Sequence, residues 1–403
     1  MLKLETSSDE ALLQRATPVQ TVRPRLAAID FLRGLVIVMM VLDHARDFLG
    51  TSVINPRDMH EPLLFLTRWI THFCAPVFVF LAGTSAFLYG RRGRSRVEVA
   101  LFLLTRGFWL VLIELTLVRL AWTFNLAYDF ILLQVIWVIG ASMVLLAGLI
   151  FLPRGVIALF GLILIVGHNL LDGIHVAVFG SAGWLWRLLH DPGTLQPLAG
   201  VHMLALYSLI PWVGVMAAGY AFGPVMLLAE NLRRRWTLRV GITVTAAFVL
   251  LRLTNLYGDP QPWAVQDTGL ATLLSFVNAE KYPPSLLYLS MTLGPALMLL
   301  GGIRETTSRL SRAVVTLGRV PFFLYVVHLF LLHAIAVVMA QLCFGDAIWL
   351  FRGLPILSKP GNYGVSLPGV YTLWIAVVLM LYPLAHWFEA LKQRRHDWWL
   401  SYL

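Results

Sequence analysis

The sequence predicts an all-α membrane protein, a polytopic helical bundle of about ten transmembrane helices with both termini cytoplasmic. Three observations carry this expectation. Of 403 residues, 59% are hydrophobic and only 13% charged, against roughly 25% charged in soluble domains. The apolar residues gather in runs of about 20, the length that crosses a ~30 Å hydrocarbon core. The cations, which give a formal net charge of +10, cluster on alternate connections between those runs, as the positive-inside rule requires. A water-soluble multidomain enzyme, a secreted disulfide scaffold and a disordered chain are excluded. Cys74 and Cys343 lie far apart, outside any metal-ligand or redox spacing, and read as packing residues.

The elements follow in order. Residues 1–26 are polar, lack the apolar core of a cleaved signal peptide and read as a cytoplasmic segment. The transmembrane domain covers 27–391, and 392–403 form a cytoplasmic tail. The first span, 30–48, has an apolar run from Leu35 to Leu42 between charged ends. The second, 69–90, stops at Arg91-Arg92, and the third, 101–121, contains Glu114 and Arg119. The fourth, 128–152, stops at Pro153-Arg154. The fifth, 155–175, is the least regular, because its apolar stretch ends at Gly167 before His168, Asn169 and Asp172. The sixth and seventh, 203–229 and 239–256, flank Arg233, Arg234 and Arg235. The eighth, 285–303, precedes a basic segment with Arg304, Arg309, Arg312 and Arg319, after which come the ninth, 320–343, and the tenth, 369–391. With the termini inside, most Lys and Arg fall on inner segments, so the basic charge is explained without nucleic acid. Two long outer stretches remain, 176–202 and 257–284, whose Trp and Tyr suit interfacial anchoring or a cap over an outer cavity.

Ionisable side chains within spans carry the functional signal, because each opposes insertion by at least ~2.5 kcal/mol at a helix centre. The first span reads Asp30-Phe31-Leu32-Arg33-Gly34 at one end and Asp43-His44-Ala45-Arg46-Asp47 at the other. Eleven residues at ~100° each return His44 to within about 20° of Arg33, ~16 Å along the axis. Asp30 and Asp47 lie within about 60° of the same stripe, so a polar seam runs the length of the helix. Snorkelling at the two interfaces is the simplest account of its ends. A seam facing the bundle interior is the functional one, with His44 suited to proton exchange near neutrality and Asp43 or Asp47 orienting its ring. In the second span Arg68 and His72 are i,i+4 neighbours at the depth of His44, and Pro76 weakens the backbone bond to His72. In the ninth, His328 is nine residues, ~13 Å, past Arg319 and near mid-membrane. His168, Asp172 and His175 share a helical face with metal-type residues, but Gly167 and Gly173 interrupt it, and no metal is expected. His386 has no evident partner.

The stretches Ile29-Asp30-Phe31-Leu32-Arg33-Gly34, Asp43-His44-Ala45-Arg46-Asp47 and Thr71-His72-Phe73-Cys74-Ala75-Pro76 through Gly83 resemble a bacterial branch of the heparan-α-glucosaminide N-acetyltransferase catalytic-domain family. Leu317-Gly318-Arg319-Val320-Pro321 through His328 resembles the same branch. Arg33 and His44, ten residues between them, are also similar to the first-helix motif of the wider type-3 acyltransferase group, and Tyr325-x-x-His328 to a second element of it. The resemblance implies an integral membrane enzyme, in a bacterial cytoplasmic membrane, that moves an acyl group, acetyl by the family, from cytoplasmic acyl-CoA (acetyl-CoA) to a hydroxyl or amine of an extracytoplasmic carbohydrate or lipid-linked acceptor. It implies donor handling and proton transfer for Arg33 and His44 and a functional role for His328; with their positions, the expected catalytic residues are His44, His72 and Asp43, the donor-binding ones Arg33, Asp30, Arg319 and His328, and the oxyanion or acceptor ones Arg68, Arg46 and Asp47. One departure stands out. The lysosomal enzyme has Asn at the position of His44 and Asp at that of His72, and its active histidine lies in the loop where His60 sits two positions off. A transporter for a small anion or lipid-linked sugar, or a non-catalytic membrane subunit, remains the alternative reading of the same buried charges.

Overall fold

The computed structural model describes residues 26–51, 55–303, 308–395, 397 and 400. Residues 1–25, most of 396–403, and Arg304 of the basic segment lie outside the described residues. Ten helical segments stand where ten spans are expected. The first, α1 (Ala27–Leu49), is followed by α2 (Pro62–Thr71) and α3 (Cys74–Gly90), which together form the second crossing. The third is α4 (Arg96–Ile113), opened by a Ser95–Glu98 capping box and continued through a π-helical turn (Glu114–Val118) into α5 (Arg119–Thr123). Then come α6 (Val135–Leu149), α7 (Arg154–Gly167), the short α8 (Gly183–Leu189), α9 (Leu209–Phe222) and α10 (Glu230–Thr254). The last are α11 (Gly269–Val277), α12 (Leu286–Gly302), α13 (Arg309–Arg319), α14 (Pro321–Met339), the single turn α15 (Pro355–Ser358) and α16 (Leu367–Arg394).

Among the described residues, seven helices are long and apolar enough to cross a bilayer, and the chain is an integral membrane protein. Of the other three helices at expected spans, α6 and α12 are apolar but short, while α1 has 23 residues but carries the charged ends already noted. The differences from the expected spans have local causes. The fourth and sixth spans both begin late, because Phe130–Leu133 (β1) and Val201–Ala205 (β3) are strands. They pair in parallel, Phe130 with His202 through Leu133 with Ala205, and β2 (Gly193–Leu198) adds antiparallel to the outer edge of β3. Short apolar runs such as Phe-Ile-Leu-Leu have no periodicity that separates strand from helix. The fifth span ends as α-helix at Gly167 and continues as a 3-10 turn to Leu171.

The chain therefore has a basic end, holding the Arg91-Arg92, Arg233 and Lys392 connections, and a loop end with the sheet and the long stretches. At the basic end α13 packs backbone to backbone against α1. A Cβ on Gly34 would strike the Val314 carbonyl, and one on Gly318 the Asp30 carbonyl. These two glycines let α13 sit close enough to bring Arg319 beside Asp30. On its other sides α1 is enclosed by α3, α14 and α16, so its polar seam faces protein.

Candidate functional site

At the basic end, Asp30 is buried, with Oδ1 3.5 Å from Arg33 Nη1 and Oδ2 3.9 Å from Arg319 Nε. Arg33 also donates to the Ser85 hydroxyl on α3, and Arg319 to the Glu389 carboxylate on α16. Asp30, Arg33, Ser85 and Arg319 form one wall of a cavity of about 1220 Å³, larger than the roughly 300–1,000 Å³ of most small-molecule sites. Among the described residues, Arg33, Arg91, Arg92, Arg106, Arg233, Arg319 and Lys392 line it with Asp30 as the single carboxylate, so it carries a strongly positive field. Deeper, the lining turns apolar with Leu110, Val135, Ile139, Met143 and Phe322, and it reaches the Tyr325 ring.

Tyr325 connects this cavity to the histidines. Its ring is edge-on to both His44 (centroids 6.5 Å) and His328 (5.7 Å). His44 Nδ1 lies 2.7 Å from His328 Nε2, with the two rings nearly parallel. The tautomers follow from the partners. His328 Nδ1 is 2.8 Å from the Leu324 carbonyl, which only accepts, so this nitrogen carries the proton. In the neutral ring Nε2 is then an acceptor, and His44 Nδ1 must donate to it. That leaves the lone pair of His44 on Nε2, which has no hydrogen-bond partner among the described residues. Trp122, itself buried, meets the His44 ring edge-on at 5.1 Å and stacks on Phe48 at 5.0 Å, fixing the imidazole plane. Arg119, one turn before Trp122 on α5, donates to the Phe130 and Asn125 carbonyls across the loop that follows.

The loop end of the seam is a network of charges. Arg46 bridges Asp43 Oδ1 at 2.7 Å and Asp47 Oδ1 at 2.8 Å, and the Thr71 hydroxyl donates to Asp43 Oδ1 at 2.8 Å. The Thr71 bond joins α1 to the break between α2 and α3. Pro76 has no N–H, so the His72 carbonyl lacks a helical partner, and the Tyr288 hydroxyl on α12 donates to it at 2.8 Å. The His72 side chain is 5% exposed, its ring edge-on to Tyr288, and neither of its nitrogens has a partner; Arg68 Nε is likewise buried and unpaired. Sequence reasoning left two further cations in loops. Lys281 is 8% exposed, with Nζ over the Tyr282 ring and within electrostatic reach of Asp43 and His72. Lys359 donates to the Asp47 and Gly50 carbonyls at 2.6 and 2.8 Å, and burial pushes its ammonium down to about 8. Of four lysines in the chain, these are the two outside the basic connections and the polar N-terminal segment, a scarcity that was the available signal.

The structure thus gathers Asp43, His44, Arg46, Asp47, Arg68 and His72 at the loop end, and Asp30, Arg33 and Arg319 at the basic end. His328, expected with the donor-binding group, lies against His44. Other expected residues fall elsewhere. His60 is exposed, near Asp267. Both nitrogens of His168 face carbonyl oxygens, of Leu164, Ile165 and Pro284, while Asp172 is 3.1 Å from His190 and accepts from Asn169. Glu114 accepts from the Gln134 N–H rather than pairing with Arg119. Chemically, a base with a fixed tautomer at the end of a cationic cavity suits removal of a proton from a hydroxyl or amine.

No curated protein matches the chain. The family described as "Heparan-alpha-glucosaminide N-acetyltransferase, catalytic" matches over residues 25–255, which contain the seam of α1 and the break at His72 and leave the His328 segment beyond the match. With more than half of its 403 residues matched, the chain belongs to that family of membrane acetyltransferases.

Proposed function

We propose that the protein transfers an acyl group, acetyl by family, from acyl-CoA held in the basic cavity to a hydroxyl or amine presented at the loop end, with the basic end cytoplasmic. The carrying observation is the His44–His328 pair, in ring contact with Tyr325, which also lines the cationic cavity. Arg33, Arg91, Arg92, Arg233 and Arg319 hold the phosphates of the donor, and the apolar depth takes its pantetheine arm. His44 Nε2 takes the proton from the acceptor as its heteroatom attacks the thioester carbonyl. The imidazolium that forms donates its Nδ1–H to His328 Nε2, which strengthens as a charge-assisted bond. As the C–S bond breaks, the same Nε2 returns the proton to the departing sulfur, so acylated acceptor and free thiol balance the reaction. Arg68 and His72 stand at the loop end, on the acceptor's side of His44. Positive-inside charge supports the orientation, and the membrane concerned is taken to be a bacterial cytoplasmic membrane.

The test is release of free CoA thiol by the purified protein from acetyl-CoA, with and without candidate carbohydrate acceptors. Acyl transfer that His44→Ala reduces by a factor of about 10²–10⁴ is expected. No transfer or hydrolysis from any acyl-CoA, together with unchanged cell-envelope acylation in His44→Ala cells, overturns the reading.

A further inference from the structure

The charges at the loop end do not close on themselves. Asp43 and Asp47 are both satisfied by Arg46, and Asp43 further by Thr71. Lys359 is committed to the backbone carbonyls of Asp47 and Gly50. Arg68 and Lys281 then remain as two cations with no carboxylate paired to either among the described residues. Both lie within electrostatic reach of Asp43 and of His72, so they converge on one place. The Lys281 ammonium is buried with an aromatic face, Tyr282 at 5.2 Å, as its near neighbour. Both also act on the imidazole of His72, 95% withdrawn from solvent with both nitrogens unpartnered. A buried polar group left unpaired opposes folding by about 1–3 kcal/mol, and like charges gathered in a poorly hydrated place add to that. Such an arrangement persists where a ligand of opposite charge completes it. The rim of the cluster, Asp43, His44, Asp47 and Arg68, is partly exposed, so the floor lies beside an accessible surface.

We infer that the acceptor is anionic: a sugar unit bearing a phosphate or carboxylate, whose charge seats between Arg68 and Lys281 with His72 hydrogen-bonded to it, while a neighbouring hydroxyl or amine of the same unit faces His44. This rests on the acyltransferase reading for the role of His44, but the anion seat itself is a binding site. The cavity at the basic end cannot serve this role, because it opens at the opposite end of α1. The shared chemistry, an anionic sugar, is met equally by a soluble glycan unit and by a sugar phosphate on a polyprenyl chain. Specificity arises because a neutral sugar leaves the two cations and the imidazole unpaired.

The experiment separates the two readings by measuring binding without a donor. Glucose 1-phosphate, glucuronate and glucose are titrated by calorimetry into the purified protein lacking acetyl-CoA, and a polyprenyl-phosphate glucose is presented in nanodiscs. Both anionic soluble sugars, or the lipid-linked one alone, bind at least tenfold more tightly than glucose, the second outcome assigning a lipid-linked source. Lys281→Met abolishes the preference and Lys281→Arg restores it, whereas a merely structural Lys281 leaves the ratio between anionic and neutral sugars unmoved. Equal binding of all four ligands, absence of binding by every anionic probe, or a Lys281→Met variant that melts like wild type and keeps the preference, overturns the anion seat. Anionic binding without acetyl transfer leaves the seat standing and defeats the acyltransferase reading.

Discussion

His44 Nδ1 stands 2.7 Å from His328 Nε2, and the Leu324 carbonyl at the far side of His328 fixes which nitrogen of each ring carries its proton. The pair is a base with a built-in acceptor behind it. Replacing His328 with Phe removes that acceptor and frees the His44 ring, and is expected to lower kcat by about 10²-fold or more. His328→Gln, whose side-chain carbonyl can accept from Nδ1–H, recovers part of the loss. Acetyl-CoA turnover compared across His328→Phe, His328→Gln and His44→Ala checks this, and equal loss in the Phe and Gln variants argues against the acceptor role.

The Tyr288 hydroxyl donates to the His72 carbonyl that Pro76 leaves without a helical partner. Tyr288→Phe keeps the packing but orphans a buried carbonyl, an effect of about 1–3 kcal/mol. A lower melting temperature is expected, with a change in acceptor KM larger than that in donor KM, because His72 lies at the loop end. A variant that melts as wild type shows that water replaces the hydroxyl.

How far these features were legible depends on their range. Asp30 and Arg33 are three residues apart on one helix, and their contact follows from helical geometry. The break at His72 was legible from Pro76, because a missing N–H has one consequence at one position. The placement of His328 within the ninth helix, α14, was legible too, from the apolar run after Pro321. Its contact with His44 was not, because 284 residues separate them and the pairing depends on how α1 and α14 rotate about their axes. Gly34 and Gly318 set the packing of α13 on α1 through backbone contacts that carry no periodic signal. The parallel pairing of β1 with β3 is similarly non-local, and Lys281 looked like any loop cation until the fold buried it.

Arg33 and Arg91 both line the basic cavity. If the phosphates of acyl-CoA bind there, each charge-assisted contact is worth about 1.5–3 kcal/mol, roughly ten- to a hundredfold in KM. Arg91→Gln is expected to raise the KM for acetyl-CoA with kcat little changed, and to weaken the dependence of KM on ionic strength. Arg33→Gln also releases Asp30 and is expected to affect both constants. Acetyl-CoA kinetics at two salt concentrations distinguish them, and an Arg91→Gln variant with wild-type KM and salt response removes that residue from the donor site.

Lys359 gives a pH dependence whose sign can be worked out. Burial lowers its ammonium from an ordinary value of 10.5 to about 8, partly offset by Asp47. Between those two values the unfolded chain holds a proton that the folded chain has released, so unfolding takes up protons and stability rises with pH through this window. Below about pH 8 both states are protonated and the burden of the buried charge is at its fullest; above 10.5 it is gone. Lys359→Met carries no such proton. Relative to that variant, the wild type therefore becomes more stable as pH rises from 8 towards 10.5, by at most about 1.4 kcal/mol for each pH step of one. Thermal melting of the two proteins in the same detergent at pH 7, 8.5 and 10 reads this difference directly. A gap that stays constant with pH means that the ammonium, held by the Asp47 and Gly50 carbonyls, keeps its charge in the folded protein across the whole range.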